Sequence, residues 1–373
     1  DAATTEIDDA FSLTGDENVG WRLGVHIAAP GLCIAADSAL DRELRSRMST
    51  VYHPAGKVTM SPPSIIEQFS LSQGRTVPVV SLYADIDPEF AVSRIETVIE
   101  ALNVTDNLDL SVIEHHFDPD LGPDQPAGCL RGRELHVLYQ LASRLRESRG
   151  EKNSHIHRKE YSFEVVEGVV SIKPRKRGSP VDVMVSELMI FANSHWGSEL
   201  KNADIAGLFR VKTKSKTGLS IVPLPHEMMG VNAYAWISSP LRRYVDLVNQ
   251  RQLIAHVQSR EPTYSSNSEE LHSILYDFET KYAQYAEFQR SMERFWCVKW
   301  LLQTDQSEFE AEVLRDNLVR LDSIPLVCKA DKLPQNNIGQ RVLIKVLEIN
   351  IFDNFANAEW IETIQLVTDE PTT

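Results

Sequence analysis

The hydrophobic pattern changes period near residues 303–308, and this switch confines the chain to a fold of two parts. Ahead of it, residues 180–198, 241–257 and 271–302 carry apolar side chains at helical spacing. Beyond it, the apolar residues fall in five short β-branched runs, at 309–313, 318–321, 324–328, 342–349 and 356–361. A segment patterned for a helix does not settle as a strand, nor the reverse. Consecutive short strands of this kind predict a small barrel, and the OB folds that bind single-stranded nucleic acid are one such family. At 373 residues the chain also exceeds one ordinary hydrophobic core.

The first part mixes strands and helices. Residues 1–36 read as an acidic turn followed by a β-hairpin, with strands at 11–13 and 23–27 and Gly15-Asp16-Glu17-Asn18 turning between them. Ser38 is placed to cap a helix that carries an acidic residue near its third position. Short extended pieces follow at 51–54 and 58–60, closed by Pro62-Pro63. Strands are predicted at 76–84 and 90–98, loop and short helix at 104–130, a helix at 132–148, and a hairpin at 161–173 turning on Glu167-Gly168. The class is α+β.

Composition narrows the function. A formal net charge of −15 argues against a protein that binds polyanions over its whole surface. It leaves room for a strand threaded through a locally basic channel. No apolar run is long enough to span a bilayer, so no membrane partner is expected. The chain begins without Met, n-region or h-region and in mid-motif, as an excerpt or processed fragment would. Cys33, Cys129, Cys297 and Cys328 are scattered, as reduced, buried thiols of an intracellular protein would be.

Two stretches carry chemistry. The first is Glu6-Ile7-Asp8-Asp9, three carboxylates in four positions, with Asp1 just upstream. Crowded carboxylates repel unless a cation lies between them. Magnesium, a hard ion that takes a few carboxylate oxygens plus phosphate, suits the place; a solvated acidic turn is the plain alternative. The second is Ser238-Ser239-Pro240-Leu241-Arg242-Arg243-Tyr244-Val245-Asp246-Leu247. Ser238 or Ser239 can cap a helix with Pro240 at its first position. Arg242 and Arg243 would then sit at the end of the helix dipole that favours anions, which makes sense around a phosphate. The alternative is that both arginines are paired with carboxylates.

With Val25-His26-Ile27-Ala28, Arg47-Met48-Ser49-Thr50-Val51-Tyr52 and Ser186-Glu187-Leu188-Met189, these motifs resemble in order and spacing the catalytic domain of the ribonuclease II (RNB) family. The likeness runs over residues 1–302, the expected RNB domain, and 303–373 is similar to the OB barrel that closes such chains. It implies a processive, magnesium-dependent 3′→5′ exoribonuclease that turns single-stranded RNA into nucleoside 5′-monophosphates, with manganese as the alternative ion. Glu6, Asp8 and Asp9 match three of four metal positions. The fourth falls one residue before Asp1, for which Asp1 is the nearest substitute. Arg242 matches the arginine on the scissile phosphate, with Arg243 beside it, and Asp8, Asp9 and Arg242 form the implied catalytic set. Tyr52 matches an aromatic stacked on the terminal base, and Glu187 a polar contact near the 3′ end. A helicase or other RNA-decay subunit is the partner such an enzyme would have. The Glu-Ile-Asp-Asp form resembles organellar and cyanobacterial members, which implies a mitochondrial or other organellar matrix.

Two departures bear on activity. The family's second stacking aromatic would fall near 153–157, where only His155 and His157 offer a ring, and Ala29 stands where an Asp is usual. They define a rival expectation, a weakened or inactive RNB-fold subunit that binds RNA or assembles with others. A DNA nuclease with similar metals is a third. Lys173-Pro174-Arg175-Lys176-Arg177 reads as either a backbone-tracking patch or an exposed basic turn. His26, Trp296 and Trp300 read as core residues.

Overall fold

The computed structural model describes residues 5–126, 129–150, 160–175, 178–334 and 338–364. In chain order the elements are β1 Asp9–Asp16, β2 Gly20–Ala28, α1 Ala39–Arg47, β3 Val51–His53, β4 Gly56–Val58, α2 Pro63–Phe69, β5 Thr76–Ile86 and β6 Val92–Asn103. Then come α3 Leu110–His116, α4 Gly132–Ser148, β7 Glu160–Val166, β8 Val169–Arg175, α5 Pro180–Asn202, β9 Phe209–Lys212, β10 Thr217–Ser220, α6 Tyr244–Val257 and α7 Glu269–Gln303. The chain ends in β11 Glu308–Arg315, β12 Leu318–Leu321, β13 Val327–Asp331, β14 Arg341–Asn350 and β15 Phe355–Thr363. The mixed α+β class and the C-terminal barrel follow the sequence expectation.

Two compact units divide the chain. One comprises 1–50, 58–156 and 178–283, and the other 51–57, 157–177 and 284–373. In the first, an antiparallel sheet runs in the order β1-β2-β5-β6. Its inner face buries Leu23, Val25, Ile27, Val80, Leu82 and Ala84 against α4 and α5. Strand β2 is buried along most of its length because it is central. A second core packs Met48, Leu208, Tyr244, Val248 and Phe278.

In the second unit, β11-β12-β13-β15-β14 close into a barrel, all pairs antiparallel except β13 with β15. Phe309, Ala311, Val319, Val342, Ile344 and Ala358 fill it, with Trp300 packed alongside; Trp296 is also buried. The bland reading of both tryptophans therefore fits.

The extended run closes at Pro62-Pro63 as expected, and Pro63 also opens α2 at the first helical position, where its missing N–H costs nothing. Two other points depart from expectation. The hairpin β9–β10 was not foreseen, because its strands are only four residues each and carry few apolar side chains to set a period. Cys33 is exposed, whereas the other three cysteines are buried and all four are free.

Candidate active site

The acidic segment is pinned before the sheet begins. Ile7 N–H donates to Ser70 Oγ at 2.9 Å, Ser70 Oγ–H to Thr5 O at 2.8 Å, and Leu71 N–H to Ile7 O at 2.9 Å. Ala28 N–H then donates to Asp8 O, so the segment enters β1 alongside β2. This anchorage drives Glu6 and Asp8 inward to 3% and 2% exposure. A solvated acidic turn is not what forms.

The arginine stretch arrives from more than 230 residues away, as a turn and not as the first turn of a helix. Arg242 N–H and Arg243 N–H both donate to Ser239 O, and Arg243 stays extended at φ −138° as the N-cap. Helix α6 therefore starts at Tyr244, three residues later than the sequence suggested. The turn is stitched to the strand ahead of it: Thr50 N–H donates to Arg242 O at 2.9 Å, and Ser49 bridges Arg243. Ser61 Oγ–H donates to Leu241 O at 2.6 Å.

Here the two stretches meet. Leu241 N–H donates to Asp8 Oδ1 at 2.8 Å, and Arg242 Nε lies 3.1 Å from Asp8 Oδ2. The Arg242 side chain is 41% exposed, so it spans from a buried carboxylate toward solvent. Thr50 Oγ1–H donates to Glu6 Oε1 at 2.6 Å, and Thr50 accepts Met60 N–H. Burial pushes the Asp8 carboxyl up to about 7, although Arg242 and the Leu241 amide pull it down. Asp9 is also pushed up by burial and pulled down by Arg242.

Arg243 is paired with a carboxylate. Its guanidinium forks onto Asp246, Nε to Oδ2 at 2.7 Å and Nη2 to Oδ1 at 2.8 Å, and stacks 4.4 Å from the Trp236 ring. Asp246 Oδ1 also accepts Ser239 N–H, which ties the turn to the helix. The fully buried Asp246 carboxylate thus occupies the fork of Arg243, whose side chain remains 22% exposed. An acid in the first turn of α6 suits the helix dipole, and its three-residue spacing from Arg243 was the signal for this pair.

Glu187, on α5, is likewise engaged. Arg149, which caps the C-terminal end of α4, binds both its oxygens at 2.6 and 2.5 Å and also donates to Met229 O. Nothing in the sequence pointed to Arg149. Tyr52 stands on β3, 41% exposed, in the second compact unit. Asp1, His155, His157, Lys176 and Arg177 lie outside the described residues. Ala29 is fully buried in the core behind the sheet, and His26 is a core residue between Ser12 and Ser81 hydroxyls.

Among the described residues no three His, Cys, Asp or Glu side chains converge as a metal cage. The donors present still fit a hard cation. Buried Asp8 and the neighbouring Asp9 are held above the ordinary carboxylate range by burial, and a bound cation would return them to the ionised form.

Comparison with known families defines the class. The RNB domain model matches residues 1–218 and 212–259, and the chain belongs to that family. Among curated relatives it is 23% identical to an uncharacterized ribonuclease of Synechocystis sp., over 84% of this chain and 50% of the relative. It is 25% identical to the mitochondrial exoribonuclease II of Saccharomyces cerevisiae, over 82% and 38%. The figure for the chloroplastic/mitochondrial ribonuclease II of Arabidopsis thaliana is 22%, over 86% and 43%. The chain thus spans half or less of the length of these relatives. Among solved structures, an active-site mutant of the Dss1 exoribonuclease from Candida glabrata superposes with a TM-score of 0.82 at 19% identity, covering 96% of this chain and 53% of that one. Mycoplasma genitalium RNase R in complex with double-stranded RNA gives 0.82 at 18%, over 96% and 73%. The yeast pseudonuclease Ssd1 gives 0.66 at 16%, over 91% and 50%.

Proposed function

We propose that this chain is the catalytic part of a 3′→5′ exoribonuclease that hydrolyses single-stranded RNA processively to nucleoside 5′-monophosphates with magnesium. Residues 1–302 serve as the catalytic domain and 303–373 as an RNA-binding barrel. One observation carries the reading: Arg242 Nε lies 3.1 Å from Asp8 Oδ2 although the residues are far apart in sequence. A buried anion beside a half-exposed guanidinium suits one phosphodiester, whose oxygens need a cationic partner and whose cleavage needs an ionised carboxylate site.

Asp8, Asp9 and Glu6 would hold the magnesium. These residues would hold it where its chemistry, lowering the pKa of a water and offsetting charge on a leaving oxygen, would be supplied. The rest is done by this chain. The Leu241 amide fixes Asp8 Oδ1, and Thr50 fixes Glu6. Arg242, whose Nη2 also donates to Ser239 Oγ at 3.0 Å, would present its part-exposed guanidinium to the non-bridging phosphate oxygens. Asp246 and Trp236 immobilise Arg243 and so set the turn that aims Arg242. Likeness to the mitochondrial yeast and the chloroplastic/mitochondrial Arabidopsis relatives supports an organellar compartment. A helicase or other RNA-decay subunit is the partner such an enzyme would have.

Asp9→Asn tests the reading. RNA degradation is expected to fall at least a hundredfold with RNA binding retained, and undiminished degradation overturns it. The rival, an inactive RNA-binding subunit, is favoured by the likeness to a protein described as a pseudonuclease. It predicts no chelator-sensitive release of mononucleotides by the unmodified chain.

A further inference from the structure

The segment Arg210-Val211-Lys212-Thr213-Lys214-Ser215-Lys216 holds four cations and no acid, in a chain with 53 acidic and 38 basic residues. It forms β9, the turn and the approach to β10. Among the described residues none of the four has a carboxylate within ion-pair distance, whereas Arg22, Arg45, Arg131, Arg149, Arg243 and Arg251 all do.

The strip is joined to the candidate centre. The Arg210 guanidinium lies 5.1 Å from the Trp236 ring, and that ring carries Arg243 at 4.4 Å. Arg243 is the chain neighbour of Arg242. Further out, the Lys212 backbone forms a parallel β-bridge with His226. Lys214 and Lys216 are exposed at the turn, which Thr213 N–H closes onto Lys216 O at 2.8 Å.

We propose that this hairpin is the rail along which the phosphate backbone of the RNA leaves the candidate centre, running past Trp236 and Lys212 to Lys214 and Lys216. The proposal rests on the nuclease reading above and adds the path of the strand. Cations in a row without carboxylate partners, Lys216 donating only to Ser220 Oγ at 3.2 Å, suit a polyanion with repeated charges. An acidic protein surface would need no continuity with Trp236.

The test uses the whole chain in chelator, so that binding is read without cleavage, with labelled oligoadenylates of about 4 and about 20 nucleotides. Lys214→Gln with Lys216→Gln changes only exposed side chains. For the long oligomer, the slope of log Kd against log salt is expected to fall by roughly 1 to 1.5, since each single-strand phosphate contact contributes about 0.7. Binding of the short oligomer should stay unchanged. Lys201→Gln with Arg260→Gln, two exposed cations elsewhere, should leave the slope intact. An unchanged slope in the hairpin variant, an equal fall in the control, or equal weakening at both lengths overturns the rail while the nuclease reading stands. No binding of either oligomer by the unmodified chain overturns both.

Discussion

The candidate centre and the C-terminal barrel bury different things. Among the described residues, all of the buried polar and charged side chains belong to the first compact unit; Glu6, Asp8, Glu187, Asp246 and Arg251 are among them. In the barrel the buried side chains are Phe309, Val313, Val319, Ile344, Ala358 and others of the same apolar kind. Its charges stay outside, in pairs such as Arg320–Glu312 and Lys332–Glu359. Burying charge is costly unless every member is paired, and it concentrates where a protein does chemistry. The contrast therefore singles out the first unit as the place where buried charge is concentrated and the barrel as a conventionally packed module.

The largest expected effect comes from breaking a pair in the polar region. Asp246→Ala strands the Arg243 guanidinium and the Ser239 amide together and should cost about 3–5 kcal/mol in chemical denaturation. Adding Arg243→Met should recover much of that loss, because the stranded charge is then gone. A single variant that loses under about 1 kcal/mol breaks the contrast, since it would mean that the buried pair is not what holds the turn. In the barrel, Ile344→Ala should lose about 2–5 kcal/mol by a different mechanism, a cavity, and no second substitution of charge should rescue it.

Acidification sharpens the comparison. His26 is fully buried between Ser12 and Ser81, 3.9 Å from Glu100, with Tyr83 edge-on. Burial lowers it from 6.5 to about 4, although Glu100 pulls it up. The folded chain thus binds fewer protons at this ring than the unfolded chain. Its contribution is complete above pH 6.5 and drains away as pH falls toward 4, by about 3 kcal/mol over that window. Denaturation at stepped pH reads it, with His26→Gln as the flat reference. A wild-type curve parallel to the variant's would show that the ring is not held neutral.

Much of this was legible in the sequence, and the failures have physical causes. The barrel was readable because its strands are short apolar runs, β11 alternating with its outward Glu308, Glu310 and Glu312, although the run read at 324–328 forms its strand at Val327–Asp331. Helix α4 matched its predicted span, 132–148, because its apolar period is unbroken. The start of α6 was misplaced since Ser239-Pro240 is a good cap signal, and local pattern does not reveal that Ser239 O is spent on two amides of a turn. Glu6, Asp8 and Arg242 were found through motif order; no propensity brings partners together across 230 positions. Arg149 was missed because a lone arginine at a helix end looks the same whether it meets solvent or Glu187.

The smallest effect separates local signals from long-range ones. Ser38 accepts the Asp41 N–H at 3.1 Å and caps α1, as its sequence position indicated. Asp41 also holds Arg251 and the Tyr244 hydroxyl, which no local pattern forecast. Ser38→Ala should therefore cost only about 1 kcal/mol, the ordinary value of a cap, and leave RNA binding unchanged. If the loss instead approaches that of Asp246→Ala, the cap is coupled to the buried Asp41–Arg251 pair. The helix start would then belong to the same polar network as the candidate centre.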